Sequence, residues 1–161
     1  MYTIEAVTDV HDRCHRSLSK LMEHCRKLTQ DEFDRTLDGF GYGTVRLQIH
    51  HIIGAQKYWL SVVQHCMDAD ENDADYPTIA ALEAFRLEVY TTTQKYLGAA
   101  SDEVLNSPQE MQIWGGKRPT LVPARVLMRT QTHIFHHMGQ ITAMCRLLGK
   151  PVPSGMDFSL L

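Results

Sequence analysis

The sequence predicts an all-α protein, a four-helix bundle, and three observations predict it. Four long stretches repeat apolar residues at steps of three and four, which on a helix draws one apolar stripe. Residues that start helices precede these stretches, and residues that stop them follow. Between the four stretches there is no alternating pattern long enough to build a sheet, so the stripes must bury against one another.

The first helix is expected from near Thr3 to about Leu28, with Val7, Val10, Cys14, Leu18, Leu21, Cys25 and Leu28 as its stripe. Thr29-Gln30-Asp31-Glu32 has the pattern of a capping box and opens a short helical turn. Asp38-Gly39-Phe40-Gly41-Tyr42-Gly43 lacks the lysine and spacing of a phosphate-binding loop and reads as a connector. Thr44 can cap a second helix reaching about Met67, striped by Leu47, His51, Ala55, Leu60 and Val63, with Ile52 and Trp59 at the edges. Asp68 to Asp75 is acidic and aperiodic, hence a solvated loop. Thr78, after Pro77, starts a third helix to about Leu97, with Leu82, Phe85, Val89 and Tyr96 on its core face.

Residues 99–119 read as irregular, with Met111–Trp114 and Pro119–Leu121 able to pair across Gly115-Gly116 as a short hairpin. Thr120 is the expected cap of the last helix, and Pro123 sits in its first turn, where a missing N–H costs nothing. That helix runs to Leu148 and stops at Gly149, with Pro151 beyond. No internal repeat and no second domain is visible, so residues 1–161 read as one bundle domain.

Composition narrows the function. The chain is 43% hydrophobic and 8% aromatic, which suits a soluble globular protein. No apolar run approaches the roughly 18 residues of a membrane span, and Met1-Tyr2-Thr3-Ile4-Glu5 does not begin a secretory signal. The expectation is a cytoplasmic protein without a membrane partner. A net charge of -3 with no lysine or arginine cluster disfavours nucleic acid as a partner. Of the four cysteines, Cys14, Cys25 and Cys145 fall among apolar helix neighbours, and none makes a Cys-x-x-Cys pair with another or with Cys66. They read as free thiols in a reducing compartment.

The chemistry lies in the histidines. His133 and His137 are four apart in the last helix, so both side chains stack on one face and can hold one divalent metal. Val122, Val126, Gln140 and Met144 share that sector of the helix, which places the pair inward. A further ligand is available from His50-His51 on the second helix, and His51 is the nearer to its inner side. Spacing alone leaves His136 as an alternative to His137, and His50 as an alternative to His51, about 100° away. His11 and His15 form a rival pair on the first helix, with His11 flanking the stripe and His15 turned to solvent. His24 and His65 have no partner at ligand spacing and are expected on the surface. Three protein ligands leave a position for water or substrate, as catalytic sites do. A fourth ligand, from His11 or a carboxylate, would instead close the site and make it structural.

Two segments resemble the DinB/YfiT-like family of bundle metalloproteins: His51-Ile52-Ile53-Gly54-Ala55-Gln56-Lys57-Tyr58-Trp59-Leu60 and Thr132-His133-Ile134-Phe135-His136-His137-Met138-Gly139-Gln140-Ile141. The tail, Leu148-Gly149-Lys150-Pro151 with Pro153 and Asp157-Phe158, and the Thr29–Phe33 turn are similar to it as well. The resemblance selects His51, His133 and His137 as metal ligands and gives His50 and His136 no direct role. It implies an up-down-down-up bundle, commonly a homodimer, holding nickel, zinc or another divalent ion. Relatives that use low-molecular-weight thiols such as bacillithiol or mycothiol make a thiol-dependent S-transferase the leading expectation. A metal-dependent hydrolase is the alternative, and a metal-stabilised stress-related or interaction protein is the non-enzymatic one. The first helix departs from the family, which often carries aromatic and asparagine residues where this chain has His11, Cys14 and His15.

No serine or cysteine nucleophile stands out, so the catalytic residues stay unassigned. The metal ligands' other ring nitrogens need acceptors, for which Glu5, Gln56 and Gln140 are available by composition.

Overall fold

A computed structural model of the chain describes residues 1–68 and 72–160. Its long helices are α1 (Ile4–Cys25), α3 (Val45–Val63), α4 (Ile79–Ala99) and α6 (Pro123–Leu147); α2 (Gln30–Phe33) and α5 (Asp102–Asn106) are short. Each of α1 to α5 starts on a serine or threonine whose hydroxyl accepts from a backbone N–H of the first turn, satisfying a donor that has no partner within the helix. At Thr29 both halves of the capping box are present. Helix α6 starts differently: Pro123 occupies its first position and the cap residue is Val122, with no side-chain cap. Thr120, expected to cap it, instead lies in a strand, because a proline at the first position fixes the cap one residue before it.

The four long helices run up-down-down-up. Helix α1 antiparallels α4, since His15 meets Arg86 while His11, nearer the start of α1, meets Gln94. It runs parallel to α6, with Val7 clustered beside Leu127 at one end and Cys25 beside Cys145 at the other. Helix α3 antiparallels α6: His51 faces His137 and His133, and Trp59 lies under Arg129. The α3–α6 contact is the most extensive in the bundle. The main core holds Leu18, Leu21, Ile49, Ile52, Ile53, Leu82, Phe85, Ile134 and Ile141, each at most 2% exposed. At that density these side chains supply most of the driving force for folding. No helix among the described residues is long and apolar enough to cross a membrane.

Several boundaries move. Helix α1 ends at Cys25 and continues to Leu28 as single turns, and α3 stops at Val63 rather than near Met67. His65 follows with φ 57°, a left-handed residue incompatible with a longer helix. Residues 99–119 contain α5, too short to show a period. The hairpin exists with Gln109–Glu110 paired to Thr120–Leu121, and its ladder continues through Met111 N–H to Pro119 O (3.0 Å) and Ile113 N–H to Lys117 O (2.8 Å). Gly115 and Gly116, both at φ 73°, make the reversal. Of the expected acidic loop, residues 69–71 lie outside the described residues; Asp73–Asp75 forms a 3-10 turn tied to α3 by Arg46, which also pairs with Asp34.

Candidate metal centre

Helices α3 and α6 bring three imidazoles together. Nε2 of His133 lies 3.2 Å from Nε2 of His51 and 3.1 Å from Nε2 of His137. Tetrahedral ligation at metal–nitrogen distances of about 2.0 Å sets ligand nitrogens about 3.3 Å apart, so these separations suit one shared ion. The three residues are close enough to hold one metal ion.

The hydrogen bonds around His137 decide which of its nitrogens is available. Gln48 Nε2 lies 2.9 Å from the carbonyl oxygen of Tyr42 and 2.9 Å from Gln140 Oε1. A backbone carbonyl only accepts, so the amide nitrogen of Gln48 must face it, and its oxygen must face His137 Nδ1 at 2.6 Å. His137 therefore carries its proton on Nδ1 and turns the Nε2 lone pair toward the other two rings. The chain continues outward: Gln140 accepts from Gln48, so its own Nε2 donates to His136 Nε2 (2.9 Å).

All three rings are neutral near pH 7. Burial comes first in holding each of them at a pKa of about 4, against an ordinary 6.5. Neighbouring histidines add to this for every ring, and the Arg129 guanidinium adds to it for His133. Neutral imidazole is the form that binds metal.

The alternatives that spacing left open are resolved by direction. His50 turns toward α4, its ring 5.4 Å from that of Tyr76 and 6.0 Å from that of Phe85. His136 is exposed, and its Nε2 lone pair is taken by Gln140. The rival pair is elsewhere. His11 and His15 are both buried between α1 and α4, with ring centroids 4.3 Å apart. The expectation that His15 faces solvent is wrong: it is 1% exposed, bonded to Gln56 Oε1 (2.7 Å) and Arg86 Nη1 (3.3 Å). Both of its nitrogens are thus committed, and His11 is not part of the cluster, so it supplies no fourth ligand. His24 is buried too, bonded to the Lys150 carbonyl, whereas His65 is exposed as expected.

Among the suggested acceptors, Gln140 acts only through Gln48, Gln56 serves His15, and Glu5 is exposed on α1. Gln48, the residue that does bond a histidine of the cluster, had a readable signal. It is a polar side chain, 0% exposed, at a core position three residues before His51. Tyr42 was also missed. The glycine-rich connector lays its ring on that of His51, with centroids 4.0 Å apart and planes at 22°.

A cleft of about 640 Å³ opens beside the histidines, lined by His51, His133, Tyr42, Tyr58, Trp59 and Trp114 among others. Such clefts, mostly apolar with a few convergent polar groups, are where small molecules bind.

A four-helix bundle with three histidines converging from its second and fourth long helices is thereby defined. A model of the DinB family matches residues 11–160, and the chain belongs to that family. The uncharacterized protein YizA of Bacillus subtilis (strain 168) is 25% identical over 128 residues, an alignment covering 77% of this chain and 76% of YizA.

Proposed function

We propose that the chain is a metal-dependent enzyme. His51, His133 and His137 hold one divalent ion, nickel or zinc, and a group is transferred to or from a low-molecular-weight thiol in the adjoining cleft. The observation that carries this reading is the meeting of three neutral imidazoles beside an open cleft. No further His, Cys, Asp or Glu among the described residues joins the cluster. Three protein ligands and an accessible side are the pattern of a catalytic site rather than of a closed structural one. A bound ion would supply Lewis-acid chemistry, making a thiol or water acidic enough to serve as a nucleophile near neutral pH.

The chain's own residues do the rest. Gln48 fixes the tautomer and orientation of His137. Tyr42 covers one face of His51 and limits solvent there. Cys14 does not provide a nucleophile, since it is 1% exposed and burial pushes its thiol up to about 12. Hydrolysis, with water in place of the thiol, would use the same site and is the second reading.

Elemental analysis of tag-free protein tests the proposal. Native protein is expected to hold about one equivalent of metal and His133→Ala to lose it, with X-ray absorption giving nitrogen ligands plus an exchangeable oxygen. Retention of metal by the variant, or none in the native chain, overturns the reading. Thiol-dependent and hydrolytic turnover of model electrophiles then separate the two activities. The homodimer is part of the same proposal, and sedimentation equilibrium tests it.

A further inference from the structure

The cleft beside the histidines has one charged side chain in its lining apart from the histidines themselves, and that is Arg129. It lies one turn before His133 on α6, so both project to the same side of the helix. Its guanidinium carbon sits 4.9 Å from the ring centroid of Trp59. A cation over a ring face is attracted to it, and the contact uses none of the guanidinium's N–H donors. Among the described residues no carboxylate pairs with Arg129, although Arg13 and Arg86 each have one and Arg46 has two. No aspartate or glutamate lines the cleft, so a cationic ligand would find no counter-charge there.

The remaining walls are flat and apolar. Tyr42, Tyr58, Trp59 and Trp114 all contribute to them. Trp114 is 70% exposed, unusual for the largest apolar side chain, and its backbone is held. Its backbone N–H donates to the Tyr58 hydroxyl (2.7 Å), and the turn after it is held by two left-handed glycines. An aromatic ring that lines a cleft and is left uncovered is a surface for a ligand to cover.

We infer that the cleft takes a small organic carboxylate with a flat or aromatic body, whose carboxylate is paired by Arg129 and whose body lies on the tryptophan and tyrosine rings. The inference rests on the metal-site reading only for where the ligand's reacting end points, toward His51 and His133. Arg129 is a specificity-determining residue in this scheme. A guanidinium donates two parallel N–H groups to a carboxylate, which discriminates against a neutral analogue of the same shape.

The chain's two tryptophans, Trp59 and Trp114, both line the cleft, so intrinsic fluorescence reports on it directly. Phenylacetate and its neutral isostere phenylacetamide are the probes, titrated at constant ionic strength into the native chain and into Arg129→Gln. The native chain is expected to bind the carboxylate about tenfold more tightly than the amide, and R129Q to bind the two alike. Arg129 is exposed, so R129Q should fold as the native chain does, and far-UV circular dichroism checks that. Equal binding of both probes by the native chain overturns the inference, as does a preference that survives R129Q. Tighter binding of phenyl phosphate than of phenylacetate overturns the carboxylate assignment. The same titrations on chelator-treated protein separate this inference from the metal reading. A preference that needs Arg129 but not metal supports it even if no metal site exists. A preference that needs metal but not Arg129 overturns it and leaves the metal site standing.

Discussion

Gln48 and its neighbours set what the three histidines can do. Replacing Gln48 with leucine keeps the volume but leaves His137 Nδ1–H without an acceptor and frees the ring to turn. Loss of such an outer partner typically lowers metal affinity by about 10–100-fold, so chelator competition on Gln48→Leu should show a drop of that order. The Tyr42 carbonyl and Gln140 lose a donor in the same variant, so its unfolding free energy in urea should fall as well, by roughly 1–3 kcal/mol. The low pKa of the cluster makes a second prediction. Protons compete with metal only where the ligands bind them, and His51, His133 and His137 do so at about 4. Metal affinity should therefore be nearly flat from pH 8 to pH 6. Ordinary histidines, titrating near 6.5, would already lose affinity below pH 7, and that result would mean that burial does not set the charge of the cluster.

Helix α3 shows why the sequence revealed the site better than the packing around it. Of the expected stripe of Leu47, His51, Ala55, Leu60 and Val63, with Ile52 at its edge, Leu60, Val63 and Ile52 are buried, but Leu47, His51 and Ala55 are not, and Val45, Gln48, Ile49, Ile53 and Gln56 belong to the buried face. The helix is apolar on more than one side, because one face meets the core and the next lines the cleft, so periodicity did not fix where the stripe is centred. His51 lies on the second face, half-buried, between His133 of α6 and the cleft. The His133–His137 spacing depended on no such centring and was legible at once. His15 and His24 were misread for a different reason: their partners, Gln56, Arg86 and the Lys150 carbonyl, are far away in sequence and leave no local trace. Caps are local, and that of α3 was legible. Thr44 accepts from Leu47 N–H (3.0 Å), so Thr44→Ala should cost about 1 kcal/mol in urea unfolding. Metal stoichiometry should stay unchanged, because the cap lies nearly two turns from His51; a loss of metal would mean that the start of α3 positions the site.

On the scale of the whole bundle, the buried polar cluster between α1 and α4 makes stability depend on pH. His11 is 1% exposed and stacks on Tyr90, with Nε2 unbonded; Asp12, Arg86 and Gln94 surround it. Burial outweighs the raising effect of Asp12 and brings His11 to about 4, while burial and His11 push His15 well down. In the unfolded chain both histidines titrate near 6.5. Between about pH 4 and pH 6.5 the unfolded state therefore binds more protons than the folded one. Stability is at its full value above the unfolded pKa and falls as the pH is lowered through this window. For His11 alone the loss between pH 7 and pH 5 is roughly 2 kcal/mol, integrated from these two pKa values. His11→Phe keeps the ring against Tyr90 and removes the titration. Urea unfolding of metal-free native and variant chains at pH 7 and pH 5 isolates the effect, since the metal-site histidines titrate alike in both. The variant should lose roughly 2 kcal/mol less than the native chain on acidification. An equal loss in the two would mean that His11 is protonated in the folded bundle, with Asp12 rather than burial setting its charge.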